Sequence, residues 1–420
     1  MAVPRDNSLD SSLALLLDGY RFAQKRRQHH RSDIFTLRLM LQPAVCIGGE
    51  EAVRVFYDSG LFERRNALPP RIRKTLTGEA GVQTLDDAAH RHRKAMFMSL
   101  MGQASIERLT DLMAQHWRAA LRRWARQRSV TLFTEVQHIL CRAACAWTGI
   151  PLQEEDVRRR AADMGAMVDG FGAVGLRHWR GRRARQRSED WIAGIVDAVR
   201  QQKPHEADAA GALYRIAWHR EPDGQLLDRR VAAVELLNLI RPIVAIASYV
   251  VFAALALHRF PEAARRLESE SDEYLEYFAH EVRRFYPFTP LVGARVRSEF
   301  DWRGHRFIPG TLVILDVYGT NRDAKLWDDP EAFRPDRFRH WSGSAFDFIP
   351  QGGGDHHTGH RCAGERITIE AMKLALTFLT RFMAYDVPPQ DLGYSLRRIP
   401  TGPRSGFVIS RIRLPAGRGA

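Results

Sequence analysis

A glycine-rich segment that carries one cysteine places the strongest constraint on how this chain of 420 residues can fold. Cys362 ends the segment 348–362, which contains three consecutive glycines, and a helical pattern follows it directly. The cysteine therefore lies at or near a helix N-terminus, where backbone amides and the helix dipole favour anions, and Arg361 adds a positive charge. We expect this setting to hold Cys362 as a thiolate. The helical spacing comes from Ile367, Leu374, Phe378, Leu379 and Phe382.

A thiolate at the end of such a loop is a soft ligand for haem iron, and it favours O–O cleavage there. The alternative is a small buried hydrophobic residue, which describes most single cysteines. That alternative does not explain why glycines, histidines and an arginine surround this one. We therefore predict haem with Cys362 as its metal ligand.

The segment resembles the haem-binding loop of the cytochrome P-450 superfamily, and within it that of the bacterial fatty-acid peroxygenases. Most superfamily members have a short Phe-x-x-Gly-x-x-x-Cys-x-Gly loop. This chain has a longer one, from Phe348 to Cys362, and its Pro-Gln-Gly-Gly-Gly-Asp stretch is similar to the peroxygenase version. The resemblance extends over nearly the whole chain. It implies a single domain, residues 1–420, with the cytochrome P-450 fold, mainly α with small β-sheets, and haem b held by an axial cysteine thiolate.

Composition and cysteine usage favour a cytoplasmic protein with a large core. Apolar residues make up 45% of the chain, which is ample for a core. The four cysteines form no disulfide framework and no zinc pair, and Cys141 and Cys145 are most simply core residues. This pattern favours a reducing compartment. The N-terminus lacks the layout of a signal peptide, and the apolar run 243–257 is too short for a membrane span, so we predict a buried helix and no integral membrane segment.

The net charge of +14 raises nucleic acid and anionic membranes as partners. The densest basic block, residues 177–187, is local, and no nucleic-acid-binding motif accompanies it. The favoured interpretation is a solvated basic face with no nucleic-acid partner. Attraction to anionic lipid surfaces, into which fatty acids partition, is a weaker alternative.

Apolar periodicity predicts a mainly helical protein with short, scattered strands. Predicted helices cover 105–124, 154–170, 190–201, 229–258, 263–286 and 365–383. Predicted strands cover 293–300, 306–308, 312–316 and 407–413.

Three charged residues match a structural arrangement of the superfamily. Glu281 and Arg284 share a helix face at i, i+3 spacing, which alone is a commonplace ion pair of little energetic value. With Arg337, in the later Phe-Arg-Pro-Asp-Arg-Phe segment, they resemble the Glu-x-x-Arg motif and its third arginine. The resemblance implies that the three residues lock the cysteine-bearing loop and take no part in the chemistry.

The two propionates of a haem require cationic partners, and five residues are candidates. His360, two residues before the cysteine, matches a propionate-contacting position of the superfamily, and His90 with Lys94 resembles its His-x-x-x-Arg/Lys contact. Arg295, after the Glu-x-x-Arg helix, is a further candidate, and Arg64 is a weaker one. Each of them, taken alone, is equally well explained as a surface charge.

The helical pattern over 229–258 departs from that of oxygen-activating relatives. Those proteins carry an acid–threonine pair that relays protons to dioxygen, and Arg241 and Pro242 take those positions here. Arg241 lies among aliphatic residues, with Glu235 on the wrong turn to pair with it, and an unpaired buried guanidinium is costly. A substrate carboxylate would satisfy it bidentately. Pro242 removes a helical hydrogen bond beside the iron. The alternative is that Arg241 ends a helix and reaches solvent.

The resemblance implies hydroxylation of long-chain fatty acids driven by hydrogen peroxide, without a redox partner. Arg241 and Pro242 are the predicted catalytic residues, with the substrate carboxylate on Arg241 as general acid–base. One alternative is a conventional monooxygenase fed by a reductase, which the missing acid–threonine pair disfavours. Others are a fatty-acid decarboxylase that gives terminal alkenes, a haem sensor without turnover and a nucleic-acid-binding protein.

Four further residues are predicted to bind the substrate beside Arg241. Gln83 matches a position where relatives that mainly hydroxylate have glutamine, whereas decarboxylating relatives that form terminal alkenes often have histidine. Ala245 is expected over the haem, and Phe288 and Leu291 along the acyl channel. Gln83, Ala245 and Phe288 all match relatives selective for Cα, so a 2-hydroxy product is favoured over a 3-hydroxy one.

Overall fold

The computed structural model describes residues 3–202, 211–269 and 271–414, and helices dominate these ranges. The first eight α-helices are α1 Ser12–Asp18, α2 Phe22–His30, α3 Glu50–Phe56, α4 Pro70–Ile72, α5 Asp87–Met98, α6 Gln103–Trp124, α7 Leu132–Thr148 and α8 Val157–Gly170. The next eight are α9 Leu176–Gln201, α10 Ala212–Ala217, α11 Arg229–Ala245, α12 Ala247–Arg259, α13 Pro261–Ser269, α14 Asp272–Phe285, α15 Val317–Thr320 and α16 Glu365–Thr377.

Within the described ranges, ten short strands form three small sheets. They are β1 Ile34–Leu39, β2 Gln42–Ile47, β3 Phe62–Glu63, β4 Ser129–Thr131, β5 Leu291–Val296, β6 Phe300–Trp302, β7 His305–Phe307, β8 Leu312–Asp316, β9 Ala384–Asp386 and β10 Val408–Arg413. The largest sheet has the order β1-β2-β8-β5-β3, and its β2–β8 pair is parallel. The second has the order β4-β10-β9, and β6 and β7 form a hairpin.

The α11 and α12 helices run through the main core, separated only by a turn at Ile246. The Asp228 carboxylate caps α11 by accepting hydrogen bonds from the amides of Arg230 and Val231 at 2.8 and 3.1 Å. Taken together as Arg229–Arg259, the helix is long and apolar enough to cross a membrane, but 83% of its most apolar window is buried inside the fold. The prediction of a buried core helix over 243–257 is confirmed.

The element boundaries differ from the predicted ones where charge obscures the pattern. The α9 helix begins at Leu176, well before the predicted start at 190, because its arginine-rich first half buries small residues such as Gly181 and Ala184. The predicted helix 263–286 consists of α13 and α14, and the predicted strand 293–300 is divided between β5 and β6. Cys141 and Cys145 are buried core residues, as predicted.

The basic block 177–187 is only partly a solvated face. Arg185 is 1% exposed, and it donates to the Glu189 carboxylate and, at 2.9 Å, to the Leu76 carbonyl. Arg177 pairs with Asp169 of α8 at 3.0 Å, and Arg187 pairs with Asp163 of the same helix. The prediction of a solvated face is therefore wrong for Arg185, whose charge ties α9 to the segment before α5.

Candidate active site

A cavity of about 400 Å³ lies between α5, α11 and the loop that precedes α16. Its lining is mainly apolar, with contributions from Leu76, Phe97, Leu239 and Ile243. The structure brings most of the predicted site residues together in this lining. They are Gln83, His90, Lys94, Arg241, Pro242, Ala245, Phe288, His360 and Cys362.

Glycines let the cysteine-bearing loop pack tightly against Tyr57. Gly352 and Gly354 have φ angles of +93° and +76°, which side-chain-bearing residues rarely adopt. A Cβ at Gly352 would lie 2.8 Å from the Tyr57 hydroxyl, and one at Gly354 would lie 2.9 Å from the Tyr57 Cβ. The loop thus reaches the cavity wall only because these two positions lack side chains.

Cys362 lies just before α16, with its sulfur facing the cavity. The backbone amide of Cys362 donates to the backbone carbonyl of Gln351 at 3.2 Å. The side-chain nitrogen Nε2 of Gln351 lies 3.6 Å from the Cys362 Sγ. Burial raises the pKa of the Cys362 thiol, and the charge of Glu365 raises it further, whereas the Gly364 amide and Lys94 act in the opposite sense. In the polypeptide itself, burial outweighs the effects of the Gly364 amide and Lys94 on this pKa. The iron of a bound haem would supply the positive charge that favours the predicted thiolate.

A buried ion-pair cluster surrounds Glu365 at the start of α16. Arg361 donates to Glu365 through Nε at 2.6 Å, so its charge is neutralised locally. Arg283 of α14 donates to the other Glu365 oxygen. Although burial opposes ionisation, the charges of Arg283 and Arg361 hold the pKa of Glu365 below its usual value. This cluster links α14 directly to the start of α16. Two sequence signals could have indicated it: the i, i+4 spacing of Arg361 and Glu365, and the position of Arg283 inside the Glu-x-x-Arg motif.

Glu281, Arg284 and Arg337 meet in one group, in which Glu281 and Arg284 are fully buried and Arg337 is partly buried. Arg284 donates to both Glu281 oxygens at 2.7 and 2.8 Å, and Arg337 Nε lies 3.2 Å from the same carboxylate. Arg284 also donates to the Asn321 carbonyl at 3.1 Å, and the Asn321 side chain accepts the Ile349 amide at 2.9 Å. The group thus reaches the cysteine-bearing loop through Asn321, whereas Arg283 contacts it more directly.

Four basic side chains, which we call the basic cluster, gather near the loop: Arg64, His90, Lys94 and His360. The rings of His90 and His360 stack at 3.9 Å, and Lys94 donates to the Arg361 carbonyl at 2.5 Å. Arg64 lies behind Tyr57, outside the cavity lining, with its guanidinium 5.2 Å from that ring. Burial lowers the pKa of all four groups, that of His90 to about 3.

The basic cluster fits the two propionates of a haem. The carboxylate in contact with it, Asp86, lies 3.6 Å from His360 but is hydrogen-bonded to the amides of Arg64 and Arg65 at 2.8 and 2.9 Å. Burial therefore disfavours the protonated forms of the four basic groups. The carboxylates of two propionates beside them would favour protonation again. Together with the soft sulfur ligand across the cavity, this donor set suits a thiolate-ligated haem.

Two predicted residues lie elsewhere. Leu291 and Arg295 belong to β5. Val292, another residue of this strand, lines the cavity. Because side chains alternate along a strand, residues 291 and 295 lie on the opposite face from Val292. Leu291 packs against the cluster that contains Phe35, and Arg295 donates to the carbonyls of Asn66 and Gly310 at 2.9 and 2.8 Å. The structure does not bring either residue to the site.

Arg241 extends from α11 to the cavity lining and has no ion-pair partner in the described part of the chain. Its side chain is 7% exposed, and among the described residues no carboxylate lies within ion-pair distance of it and its Nε has no hydrogen-bond partner. Burial lowers its pKa to about 9, the charge of Arg185 acts in the same sense, and Cys362 acts in the opposite sense. The predicted alternative, an arginine that ends the helix and reaches solvent, does not describe this geometry.

The nearest acidic residue on the same helix is committed to another partner. Glu235 is fully buried and accepts from Arg93 Nη1 and from the Val82 amide, both at 2.8 Å. Asn238 joins this group by donating to Glu235 at 3.1 Å and to the Gln83 side-chain oxygen at 3.2 Å. This network, which the sequence did not predict, orients Gln83 at the cavity wall.

Two aromatic rings form the wall near Ala245. Phe288 stacks on Tyr249 with ring centroids 4.3 Å apart, and the Phe288 carbonyl accepts from the Tyr20 hydroxyl at 2.9 Å. Ala245 lies one turn after Arg241 and leaves room above the cysteine side of the cavity. The site thus combines one unpaired cation with a rigid apolar wall.

Comparisons with known proteins agree with this geometry. A sequence model described as cytochrome P-450 matches residues 267–395. The chain is similar to cytochrome P-450EX alpha (CYP152N1) with myristic acid, at 43% identity, with a TM-score of 0.94 and coverage of 99% of this chain and 100% of that one. It is similar to cytochrome P-450SP alpha (CYP152B1) with (R)-ibuprofen, at 43% identity, with a TM-score of 0.93 and coverage of 97% and 100%.

A variant of cytochrome P-450 OleT with arachidonic acid is 36% identical, with a TM-score of 0.95 and full coverage of both chains. Among curated proteins, cytochrome P-450 3A17 of Cavia porcellus is 26% identical over 211 residues, which span 44% of this chain and 41% of that protein. The chain therefore matches less than half the length of such curated relatives. The full-length structural matches confirm the predicted fold and the haem cofactor with cysteine-thiolate ligation. By these matches the chain belongs to the cytochrome P-450 superfamily and, within it, to the CYP152 family of fatty-acid peroxygenases.

Proposed function

We propose that this protein hydroxylates long-chain fatty acids at Cα, with hydrogen peroxide as the oxidant, and releases 2-hydroxy acids. The observation that supports this most strongly is the side chain of Arg241. It is a buried guanidinium in an apolar cavity, without an ion-pair partner among the described residues. A carboxylate at the end of an alkyl chain supplies the missing partner and fills the apolar space.

The free energy of pairing supports selection for acids. A guanidinium and a carboxylate can form two parallel charge-assisted hydrogen bonds, each worth about 1.5–3 kcal/mol. A neutral alcohol or ester of the same chain length brings no negative charge and cannot form the two parallel bonds, so the Arg241 charge stays uncompensated. The substrate class is therefore set by the head group, while the apolar lining accepts chains of varied shape.

Different residues of this chain have different roles around that head group. Haem on Cys362, with its propionates on the basic cluster, supplies peroxide-activating iron when bound. Arg241 holds the substrate carboxylate, and the carboxylate takes up and returns a proton as the general acid–base. Pro242 has no N–H, so the Asn238 carbonyl lacks its helical donor and the backbone is opened beside the cavity.

The position of the head group supports oxidation close to it. A carboxylate fixed on Arg241 places Cα and Cβ near Ala245, one helical turn away, and leaves the chain terminus distant. Gln83 is held by Asn238 at 3.2 Å, and Phe288 is held by its stack on Tyr249, so the carbon next to the carboxylate meets a rigid wall. We propose Cα as the main site of hydroxylation, with some Cβ product.

The proposed activity requires no reductase, because the oxidant already carries both electrons and the oxygen atom. We propose that residues 1–420 act as one haem-binding domain in the cytoplasm. All four cysteines are free and three are buried, which supports a reducing compartment.

The test is product analysis after haem-loaded protein is mixed with palmitic acid and hydrogen peroxide, without NAD(P)H or reductase. We expect 2-hydroxypalmitic acid, and no oxidation of 1-hexadecanol under the same conditions. A 3-hydroxy acid or a terminal alkene would keep the peroxide chemistry and overturn the Cα assignment. Turnover that appears only when a reductase and NAD(P)H are added would identify a conventional monooxygenase instead.

A further inference from the structure

Exposed apolar side chains are concentrated in three segments of this protein. In the described part of the chain, eleven large apolar side chains are exposed, and nine of them belong to α1 with its preceding turn, to the β1–β2 turn and to the α8–α9 turn with the first residues of α9. Leu176 is 83% exposed and Trp179 is 64% exposed, which is unusual for residues of this size. We call these nine residues the apolar face: Leu9, Leu13, Leu16, Leu17, Met40, Leu41, Val174, Leu176 and Trp179.

Hydrogen bonds link the three segments, directly between α1 and the β1–β2 turn and through residues 396–400 between α1 and the α8–α9 turn. The Met40 amide donates to the Ser12 hydroxyl at 2.8 Å, and the Leu41 amide donates to the Asp10 carboxylate at 2.5 Å, so the β1–β2 turn lies against α1. Beyond the other end of α1, the Tyr20 amide donates to the Leu396 carbonyl at 2.9 Å. The segment 396–400 then continues to the α8–α9 turn.

That second junction is basic. Arg177 donates to the Ile399 carbonyl at 3.3 Å, and Arg398 pairs with Asp169 at 2.6 Å. Arg180, Arg183 and Arg397 are exposed beside the same segment. The apolar face is therefore bordered by arginines, which matches a surface that is apolar beneath and anionic above.

A second cavity, of about 620 Å³, lies between α8, α9 and the segment 395–406. It reaches Ala245, which also lines the cavity of the candidate active site. At its other end it is lined by Arg177, Arg180 and Arg398, at the border of the apolar face. A ligand that leaves a lipid layer at this face thus meets a path towards Arg241.

We infer that the apolar face, with its bordering arginines, docks this protein on the surface of an anionic lipid bilayer, from which fatty acid enters through the second cavity. Tryptophan and leucine insert at the headgroup boundary, and the arginines contact lipid phosphates. The use of the face for substrate supply rests on the proposed function, but the docking itself does not. Docking thereby gives the basic block 177–187 a role beyond the ion pairs that it forms with α8.

The test measures binding of the haem-loaded protein to vesicles of phosphatidylcholine with and without phosphatidylglycerol. We expect binding to the anionic vesicles that weakens with salt. The double variant Leu176→Ser/Trp179→Ser should bind at least tenfold more weakly. The double variant Arg180→Gln/Arg183→Gln should lose roughly fivefold for each arginine removed.

Matched controls keep the test specific. Leu414→Ser removes an exposed leucine just after β10, and Arg122→Gln/Arg126→Gln removes the same charge from two exposed arginines at and just after the C-terminal end of α6. Both controls should bind as the parent does, and the haem spectrum of every variant should be unchanged.

Equal loss in the controls would show that overall charge drives binding and would overturn the inference, as would absence of binding by the parent. A dimer in solution that Leu176→Ser/Trp179→Ser dissociates would also overturn it, because the face would then serve self-association. Vesicle binding is read without turnover, so failure of the peroxygenase assay leaves this result interpretable.

Discussion

Replacing Arg241 by methionine is predicted to abolish fatty-acid binding while leaving the fold intact. The side chain is 7% exposed and unpaired among the described residues, and burial lowers its pKa to about 9. In the ligand-free protein this charge therefore costs on the order of several kcal/mol at neutral pH. Arg241→Met removes that cost, so the variant should unfold at the same temperature as the parent or at a higher one.

The effect on binding has the opposite sign. Removing one partner of a buried ion pair costs about 3–5 kcal/mol, which corresponds to a loss of roughly two to four orders of magnitude in affinity for the acid. Arg241→Lys keeps the charge but not the two-pronged geometry, so its affinity should lie between those of the parent and Arg241→Met. A fatty alcohol of equal length should bind the parent no more tightly than it binds Arg241→Met.

The assay is a titration of haem-loaded protein with palmitic acid, followed by absorbance, together with thermal unfolding at each ligand concentration. The parent should gain thermal stability as acid is added, and Arg241→Met should gain none at the same concentrations. If Arg241→Met binds palmitic acid within a factor of five of the parent, the carboxylate is held elsewhere and the proposed mechanism fails. A marked drop in stability of the ligand-free variant would refute the reasoning about the unpaired charge.

Three further predictions concern the cofactor, the buried ion pairs and acid stability. Cys362→Ala should lose the absorbance spectrum of thiolate-ligated haem, whereas Cys141→Ala, a change in the helical core, should keep it; an unchanged spectrum in Cys362→Ala would remove the ligand assignment. Glu281→Ala leaves two buried arginines without their carboxylate and should lower the free energy of unfolding by about 3–5 kcal/mol in a urea titration. Glu50→Ala, which breaks an exposed pair, should change it by less than about 1 kcal/mol, and similar values for both would contradict the structural role of Glu281. Although burial opposes ionisation, three cationic partners lower the pKa of Asp33 to about 2, so its stabilisation is present above the unfolded pKa near 4 and is lost as the pH falls towards 2. Asp33→Asn should therefore be less stable at pH 6, by about 1–2 kcal/mol after allowance for screening, and the difference from the parent should vanish by pH 2, as followed by circular dichroism.

Much of the site could be predicted from the sequence because its signals are local. The cysteine, its glycines and the following helix lie within one short stretch, and Arg241 and Pro242 stand out inside an otherwise aliphatic helix. The motif around Glu281 likewise depends on i, i+3 spacing. Such features require only that the helix forms, and the apolar periodicity decides that.

Other features depended on which face a residue occupies. Arg295 and Leu291 were predicted in the site from their position along the chain, but Val292 between them is the residue that lines the cavity. A strand reverses its faces at every residue, so the sequence position alone could not settle this assignment. The α9 helix was shortened in the prediction for a related reason, because its buried residues are glycine, alanine and arginine rather than large apolar ones.

The sequence by itself determined the helical class, the cysteine-bearing loop, the buried central helix and the unpaired arginine within it, because hydrophobic spacing and local motifs encode these features. Only the tertiary structure decided that Arg283 pairs with Glu365, that Glu235 pairs with Arg93, and that burial raises the pKa of Cys362. Those outcomes depend on desolvation and on contacts such as the one between Glu235 and Arg93, which are 142 positions apart. Charge pairing over such separations is set by packing in three dimensions, and no local pattern records it.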